Sequence, residues 1–244
     1  VITAPSASYT QPSWGGTELF RSPVISFVYE RGWRQGFSWA GFPGADEEYN
    51  LAMKWLLPAA QGQPLLDLSC GSGLFTRRFI TSKSFSHVIA ADYSENMLKQ
   101  TKTFISEDAS ITDDEYNLVR LDVARLPFKT GSLSAIHAGA ALHCWPNPIA
   151  AMAEISRVLK PGGVFVASTF LSMTAPLGQF LGNDGLVEPL DAFEPQPGAY
   201  KWWKEGEIKG ICEAVGLENY QRDRRLRFIM FSVTKPLVGN AAVR

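Results

Sequence analysis

The sequence predicts an α/β domain built on a mostly parallel sheet with helices on both faces, and three observations predict it. Short apolar runs alternate with helix-period segments from Glu47 to about Phe170, as in strands buried on both faces and joined by crossover helices. One run, Leu65-Leu66-Asp67-Leu68, passes through Gly71 and Gly73 into a helical stretch. Acids, Asp92 and Asp122, close the next two strand-like runs.

Taken in order, residues 1–46 carry nine aromatics (Tyr9, Trp14, Phe20, Phe27, Tyr29, Trp33, Phe37, Trp39 and Phe42) and little periodicity. Rings in such number are costly to leave in water, so this stretch is expected to be an aromatic extension packed on the domain, or a lid over a pocket. Ser22-Pro23 is expected to open a helix running to about Arg34, with Ser as cap and Pro in the first turn. Residues 47–244 form the expected domain. Its strands are read at Pro64–Leu68, His87–Asp92, Tyr116–Asp122, Ala135–Gly139 and Val164–Thr169, with helices near Leu74–Thr81, Glu95–Ser106 and Ile149–Leu159. Lys160-Pro161-Gly162-Gly163 stops the last helix and leads into a strand. An irregular insertion is expected at 171–203, where Pro and Gly break any long element. A helix near Glu205–Val215 and strands at Leu217–Tyr220 and Arg227–Thr234 complete the domain.

Composition narrows the function. The chain has 244 residues and 45% apolar content, enough for a sizeable core. Lys and Arg number 23 against 24 Asp and Glu, a net charge of −1 that speaks against a general grip on nucleic-acid backbone. No apolar run approaches the roughly 20 residues of a membrane span; peripheral membrane contact stays open. Cys70, Cys144 and Cys212 are far apart and form no disulfide framework or zinc spacing, so no metal is expected. Val1 is not an initiator Met, so the chain is expected to be a processed or trimmed form.

The glycine turn carries the chemistry. Gly71 and Gly73 permit a tight turn and let backbone N–H groups approach a ligand. Asp92 follows Gly73 by 19 residues, where a carboxylate can accept both hydroxyls of a ribose. The third glycine of a nicotinamide-binding turn, expected near Thr76, is absent. Instead Asp67 stands four residues before Gly71, a place suited to a ligand's cationic end, such as the amino group of a methionine moiety.

This arrangement resembles the class I S-adenosylmethionine-dependent methyltransferases, and the resemblance implies their Rossmann-like fold with a mostly parallel seven-stranded sheet. It assigns Asp67, Ser69, Gly71 and Gly73 to the methionine-binding turn and Asp92 to ribose. Tyr93 and Met97 flank adenosine, Asp122 and Val123 face adenine, and Gly139 completes the cofactor set. Asp122-Val123-Ala124-Arg125-Leu126-Pro127-Phe128 and Arg157-Val158-Leu159-Lys160-Pro161-Gly162-Gly163 are further family hallmarks. The cofactor so implied is S-adenosyl-L-methionine, leaving as S-adenosyl-L-homocysteine.

A closer likeness lies in Phe20-Arg21-Ser22-Pro23, Tyr29-Glu30-Arg31-Gly32-Trp33-Arg34-Gln35, Gly41-Phe42-Pro43-Gly44 and the run from His137 to Pro146. These resemble the uncharacterised chloroplast methyltransferases of plants and algae, some of them plastoglobule-associated and related to the methyltransferases of ubiquinone and menaquinone synthesis. Plant members carry a cysteine-rich segment upstream that is not seen here. The likeness implies a chloroplast location and a small, lipophilic, quinone-like acceptor. Alternatives are a methyltransferase-fold assembly module in a larger plastid complex and, third, an RNA methyltransferase.

Methyl transfer from a sulfonium needs alignment and exclusion of water, and a base only where the acceptor is a protonated hydroxyl. His143, just past the fourth strand, is the candidate base, with a pocket-lining His as the alternative. His137 is expected to be structural, His87 a strand-edge residue and Cys70 a small packing residue. Trp145, Trp202 and Trp203 are weighed as acceptor-pocket lining against plain core. Arg222, Arg224, Arg225 and Arg227 are expected on a solvated hairpin.

Overall fold

The structure is a computed structural model that describes residues 2–3, 34–193 and 201–237. The expected helix from Ser22 lies outside the described residues, as do Tyr9, Trp14, Phe20, Phe27, Tyr29 and Trp33.

The strands are β1 (Ile2–Thr3), β2 (Leu65–Leu68), β3 (Val88–Asp92), β4 (Tyr116–Arg120), β5 (Leu133–Ala138), β6 (Leu159–Phe170), β7 (Glu218–Arg225) and β8 (Phe228–Thr234). They form one sheet in the order β1-β4-β3-β2-β5-β6-β8-β7. Neighbours are parallel from β1 through β6, whereas β8 runs antiparallel to both β6 and β7. The seven expected strands are therefore present, joined at one edge by the two-residue β1. All residues of β2 and β5 are buried, which is why these strands read as continuous apolar runs rather than alternating ones. The chain leaves β2 toward β3 and β4, then returns to its other side with β5 and β6. That reversal creates a switch point at the carboxyl end of β2, where ligands of open α/β sheets bind.

The helices are α1 (Ala45–Ala60), α2 (Leu74–Thr81), α3 (Glu95–Ser106), α4 (Pro148–Val158), α5 (Ala175–Leu181) and α6 (Glu205–Ala214). One core layer joins α1, α2 and α3 through Leu56, Phe79 and Leu98 to Leu65, Ala90, Ala135 and Val166. The opposite layer joins α4 and α6 through Ile155 and Ile208 to Leu66, Leu68, Ile136, Phe165 and Phe231. Alternate residues of each strand thus feed opposite layers. The two hallmark runs are coupled across this second layer. Arg157 donates to the carbonyls of Phe128 and Leu126 at 2.9 Å each, while Glu154 accepts from Leu126 N–H at 2.8 Å.

Three expectations need correction. Helix α1 has no counterpart in the sequence reading: its start carries no side-chain cap and Pro58 lies inside it, so the usual boundary signals are missing. The stretch 171–203 is not wholly irregular, since it holds α5 and two 3-10 turns, Asp184–Leu186 and Glu188–Phe193. It also leaves Leu177, Phe180 and Leu186 exposed.

The third concerns the arginines: Arg222 lies on a solvated hairpin as expected, but Arg224 and Arg227 turn inward and Arg225 reaches across to α1. Arg224, 5% exposed in its side chain, bonds Asp184 at 2.7 Å and Glu205 at 3.0 Å, and reaches the Ala175 carbonyl at 2.6 Å. Arg225 pairs with Glu47 of α1 at 2.6 Å, and Arg222 pairs with Glu205. Arg227 is buried, its guanidinium 4.5 Å from the Trp202 ring and 5.2 Å from the Trp39 ring, with Nε donating to the Leu171 carbonyl at 3.1 Å. The hairpin clasps α1 and the insertion to the sheet. Arg224→Ala strands two acids against each other, so we expect a loss of about 2 kcal/mol, below the cost of a fully buried pair because Asp184 is part-exposed. A lowered urea midpoint checks this.

Candidate functional site

The site is built on the turn that follows β2. Ser69, Gly71 and Gly73 have φ of 58°, 58° and 80°, a left-handed run that L side chains rarely adopt. A Cβ on Gly73 would stand 2.4 Å from Thr101 Cγ2, so only glycine allows α3 to lie this close. Thr101, fully buried on α3, bonds the Gly71 carbonyl at 2.9 Å. Gly71 N–H donates to Asp92 Oδ2 at 2.9 Å, which fastens the turn to the end of β3. Asp92 Oδ1 accepts from Ser94 N–H at 2.8 Å, and the Ser94 hydroxyl caps α3 by accepting from Met97 N–H at 3.3 Å.

Electrostatics single out two acids. Burial pushes the Asp92 carboxyl up to about 6, against the downward pull of the Ser94 and Gly71 N–H bonds. Asp122, 4% exposed, receives Ala124 N–H on Oδ1 at 2.9 Å, and burial raises its carboxyl as well. Its Oδ2 is buried with no hydrogen-bond partner among the described residues, so one acceptor position of the carboxylate is unsatisfied. Asp122 lies two residues past the end of β4, not in the strand, in an isolated bridge with Arg125. Val123 is buried beside it. Tyr93 is half-buried, its carbonyl held by Arg120 Nε at 3.2 Å, and Met97 is buried in the first turn of α3.

Asp67 is held by interior partners. Its carboxylate turns inward, where Oδ2 accepts from the Thr76 hydroxyl at 2.5 Å and Oδ1 faces His137 Nδ1 at 2.8 Å. Its side chain is 2% exposed. Gly139 directly follows β5, and a Cβ there would meet His137 Cε1 at 3.0 Å and Phe75 at 3.2 Å.

On the remaining side, a 3-10 turn at Leu142–Cys144 carries His143. Trp145, next in line, donates from Nε1 to Ser69 Oγ at 3.0 Å and so ties this segment to the glycine turn. His143 is buried, with Nδ1 3.2 Å from Thr169 Oγ1 and its ring edge-on to Phe170 at 4.9 Å. Burial pulls its imidazole down to about 4, so it is neutral at physiological pH. Phe170 in turn packs against Phe37 and Phe42 at 4.9 and 4.6 Å. Cys144 is pushed up to about 12 by burial and by the nearby Asp92 charge. Burial and the charges of Asp92 and Asp67 likewise hold the Cys70 thiol well above its ordinary value, as fits a packing residue. Trp203 is fully buried in the core and, with Leu142, Met152, Ile208 and Ile211, borders a small internal cavity. His87 lies just before β3, bonded to Asn117 Oδ1 at 2.8 Å.

Sequence reasoning passed over Thr76, Thr101 and Thr169. Thr101 was within reach, because Ser94, Met97 and Thr101 stand at i, i+3 and i+7 on one helical stripe.

The strand order, glycine turn and strand-end acids define a Rossmann-like methyltransferase architecture. Comparisons agree. A family model described as a methyltransferase domain matches residues 66–167. An uncharacterized chloroplastic methyltransferase of Arabidopsis thaliana is 49% identical over 96% of this chain, which spans 65% of that relative's length. A demethylmenaquinone methyltransferase of Staphylococcus aureus (strain JH9) is 32% identical over 65% of this chain and 69% of its own. The phosphoethanolamine N-methyltransferase 2 of Haemonchus contortus, solved with S-adenosyl-L-methionine, superposes with a TM-score of 0.68 at 15% identity, covering 93% of this chain and 61% of that one. The chain belongs to the methyltransferase-domain family.

Gly73→Ala adds both the left-handed strain and the Thr101 clash, an expected loss of at least about 2 kcal/mol. Thr101→Ser in the same chain removes the methyl and should return part of it, as read by the urea midpoint.

Proposed function

We propose that this chain binds S-adenosyl-L-methionine in the crevice beyond β2, β3 and β4 and transfers its methyl group to a small, lipophilic, quinone-like acceptor in the plastid. The observation that carries the reading is Asp92, a carboxylate fixed by two N–H groups at the switch point yet left at about 6 by burial. Such a group gains from two further hydroxyl donors, which is what a ribose offers. The orphaned Asp122 Oδ2 suits an adenine amino group. Val123, Tyr93 and Met97 would flank the base, and the backbone of Ser69, Gly71 and Gly73, with Gly139 opposite, leaves room for the methionine portion.

When bound, the cofactor supplies an electrophilic methyl group on a sulfonium. The chain's own task is to align the acceptor and keep it dry. His143, neutral and held by Thr169, can accept a hydrogen bond from an acceptor hydroxyl and orient it. With its imidazole near 4 it is a weak proton acceptor at neutral pH, so we assign it orientation rather than general-base work. The rings of Phe170, Phe37 and Phe42 behind it give an aromatic acceptor an apolar surround. The name of the Staphylococcus relative supports the quinone-like class, and the Arabidopsis relative's name supports the plastid. The near-neutral net charge supports a small acceptor over nucleic acid.

Titration calorimetry with S-adenosyl-L-methionine tests the reading. Asp92 is ionised above about 6 and is the stronger acceptor in that form, so affinity should hold from pH 7 to 8 and fall about tenfold from pH 7 to 5. Asp92→Ala should bind roughly 30-fold more weakly at pH 7.5, with that dependence gone. A folded wild-type chain that does not bind, or binds with no pH dependence, contradicts the assignment. With demethylated prenyl quinols and labelled methyl donor, His143→Gln should lower turnover less than about tenfold; a hundredfold loss would make His143 a base instead.

A further inference from the structure

Beneath the turn after β2 lies a buried pair of ionisable side chains, Asp67 and His137. Asp67 and His137 stand opposite each other in register on the adjacent central strands β2 and β5. Their side chains are 2% and 1% exposed. Thr76, fully buried on α2, supplies the second bond to the carboxylate. The three side chains tie β2, β5 and α2 together directly beneath the turn.

The direction of the bonds follows from chemistry. An ionised carboxylate only accepts, so His137 Nδ1 carries the proton shared with Asp67 Oδ1. His137 Nε2 then has no hydrogen-bond partner among the described residues. The ring is packed against Phe75 at 5.2 Å and Phe79 at 4.9 Å. A proton has no onward acceptor there, so the pair is not a relay. Its effect is mechanical. Asp67 lies two residues before Ser69, where the left-handed run begins, and the His137 ring also sits under Gly139 at the far lip of the crevice. Locking this one rotamer sets how β2 enters the turn and where its amides point.

We infer that His137 and Thr76 are positioning residues for the cofactor turn, and that Asp67 acts through the turn instead of touching the cofactor's amino group. The inference rests on the cofactor site proposed above. A direct contact would make Asp67 matter alone; positioning makes all three matter together.

The test is a double-mutant cycle on affinity for S-adenosyl-L-homocysteine, measured by calorimetry well below each variant's Tm. Losing one charge-assisted bond should weaken binding about tenfold in Asp67→Asn, in His137→Leu and in Thr76→Val. The Asp67→Asn/His137→Leu pair should lose no more than either single change. His137→Asn places an amide N–H where Nδ1 stood and should recover most of the affinity, which a general loss of stability would not reproduce. Should His137→Leu fail to fold, Asp67→Leu/His137→Leu leaves no orphaned charge, and with Thr76→Val it should show the same tenfold loss. Affinity that falls in Asp67→Asn but is unchanged in His137→Leu or Thr76→Val overturns the inference, because Asp67 then touches the ligand. A folded wild-type chain that does not bind overturns the site and the inference with it.

Discussion

The hydrogen bond from Gly71 N–H to the Asp92 carboxylate joins the turn after β2 to the end of β3, and the crevice takes its form from that junction. With it in place, α3 is brought in close enough for Thr101 to hold the Gly71 carbonyl, and the residue at 73 has to be glycine. The same carboxylate receives Ser94 N–H, so the start of α3 is set by the group that holds the turn. These two bonds do not fully compensate the burial of the charge, since the carboxyl is still held at about 6.

Three aspartates line this region and their surroundings divide the work. Asp92 meets backbone amides at the crevice, Asp122 meets one amide and keeps one oxygen unpartnered, and Asp67 meets only interior side chains. On the proposed reading, one residue type would serve as ribose acceptor, base-facing acceptor and internal anchor. Opposite them, dry aromatic packing around His143 makes the other half of the site apolar. On the proposed reading, a polar pole for the cofactor and an apolar pole for the acceptor would suit a transfer in which the chain mainly aligns two partners.

Much of the architecture was legible because its signals are local. The boundaries of α2 and α3 were read as found, and the five parallel strands from β2 to β6 were located to within a few residues, since buried parallel strands and capped helices announce themselves in short windows. What was missed depends on residues far apart in the chain. Asp67 and His137 are 70 positions apart, and only the β2–β5 register brings them together; read alone, an acid before a glycine turn looks like a ligand group. The arginines from 222 to 227 read as a solvated run because their partners, Glu47, Asp184 and Glu205, lie on three other elements. Helix α1 was hidden for the opposite reason, an interior proline and an uncapped start in an otherwise periodic segment.

A crystal structure of the chain with S-adenosyl-L-homocysteine tests the central claim most directly. The account predicts both ribose hydroxyls on the Asp92 carboxylate, the adenine amino group on Asp122 Oδ2, and Asp67 still bonded to Thr76 and His137 with no contact to the ligand. A ligand seated away from Asp92, or an Asp67 carboxylate swung out onto the ligand's amino group, would contradict it.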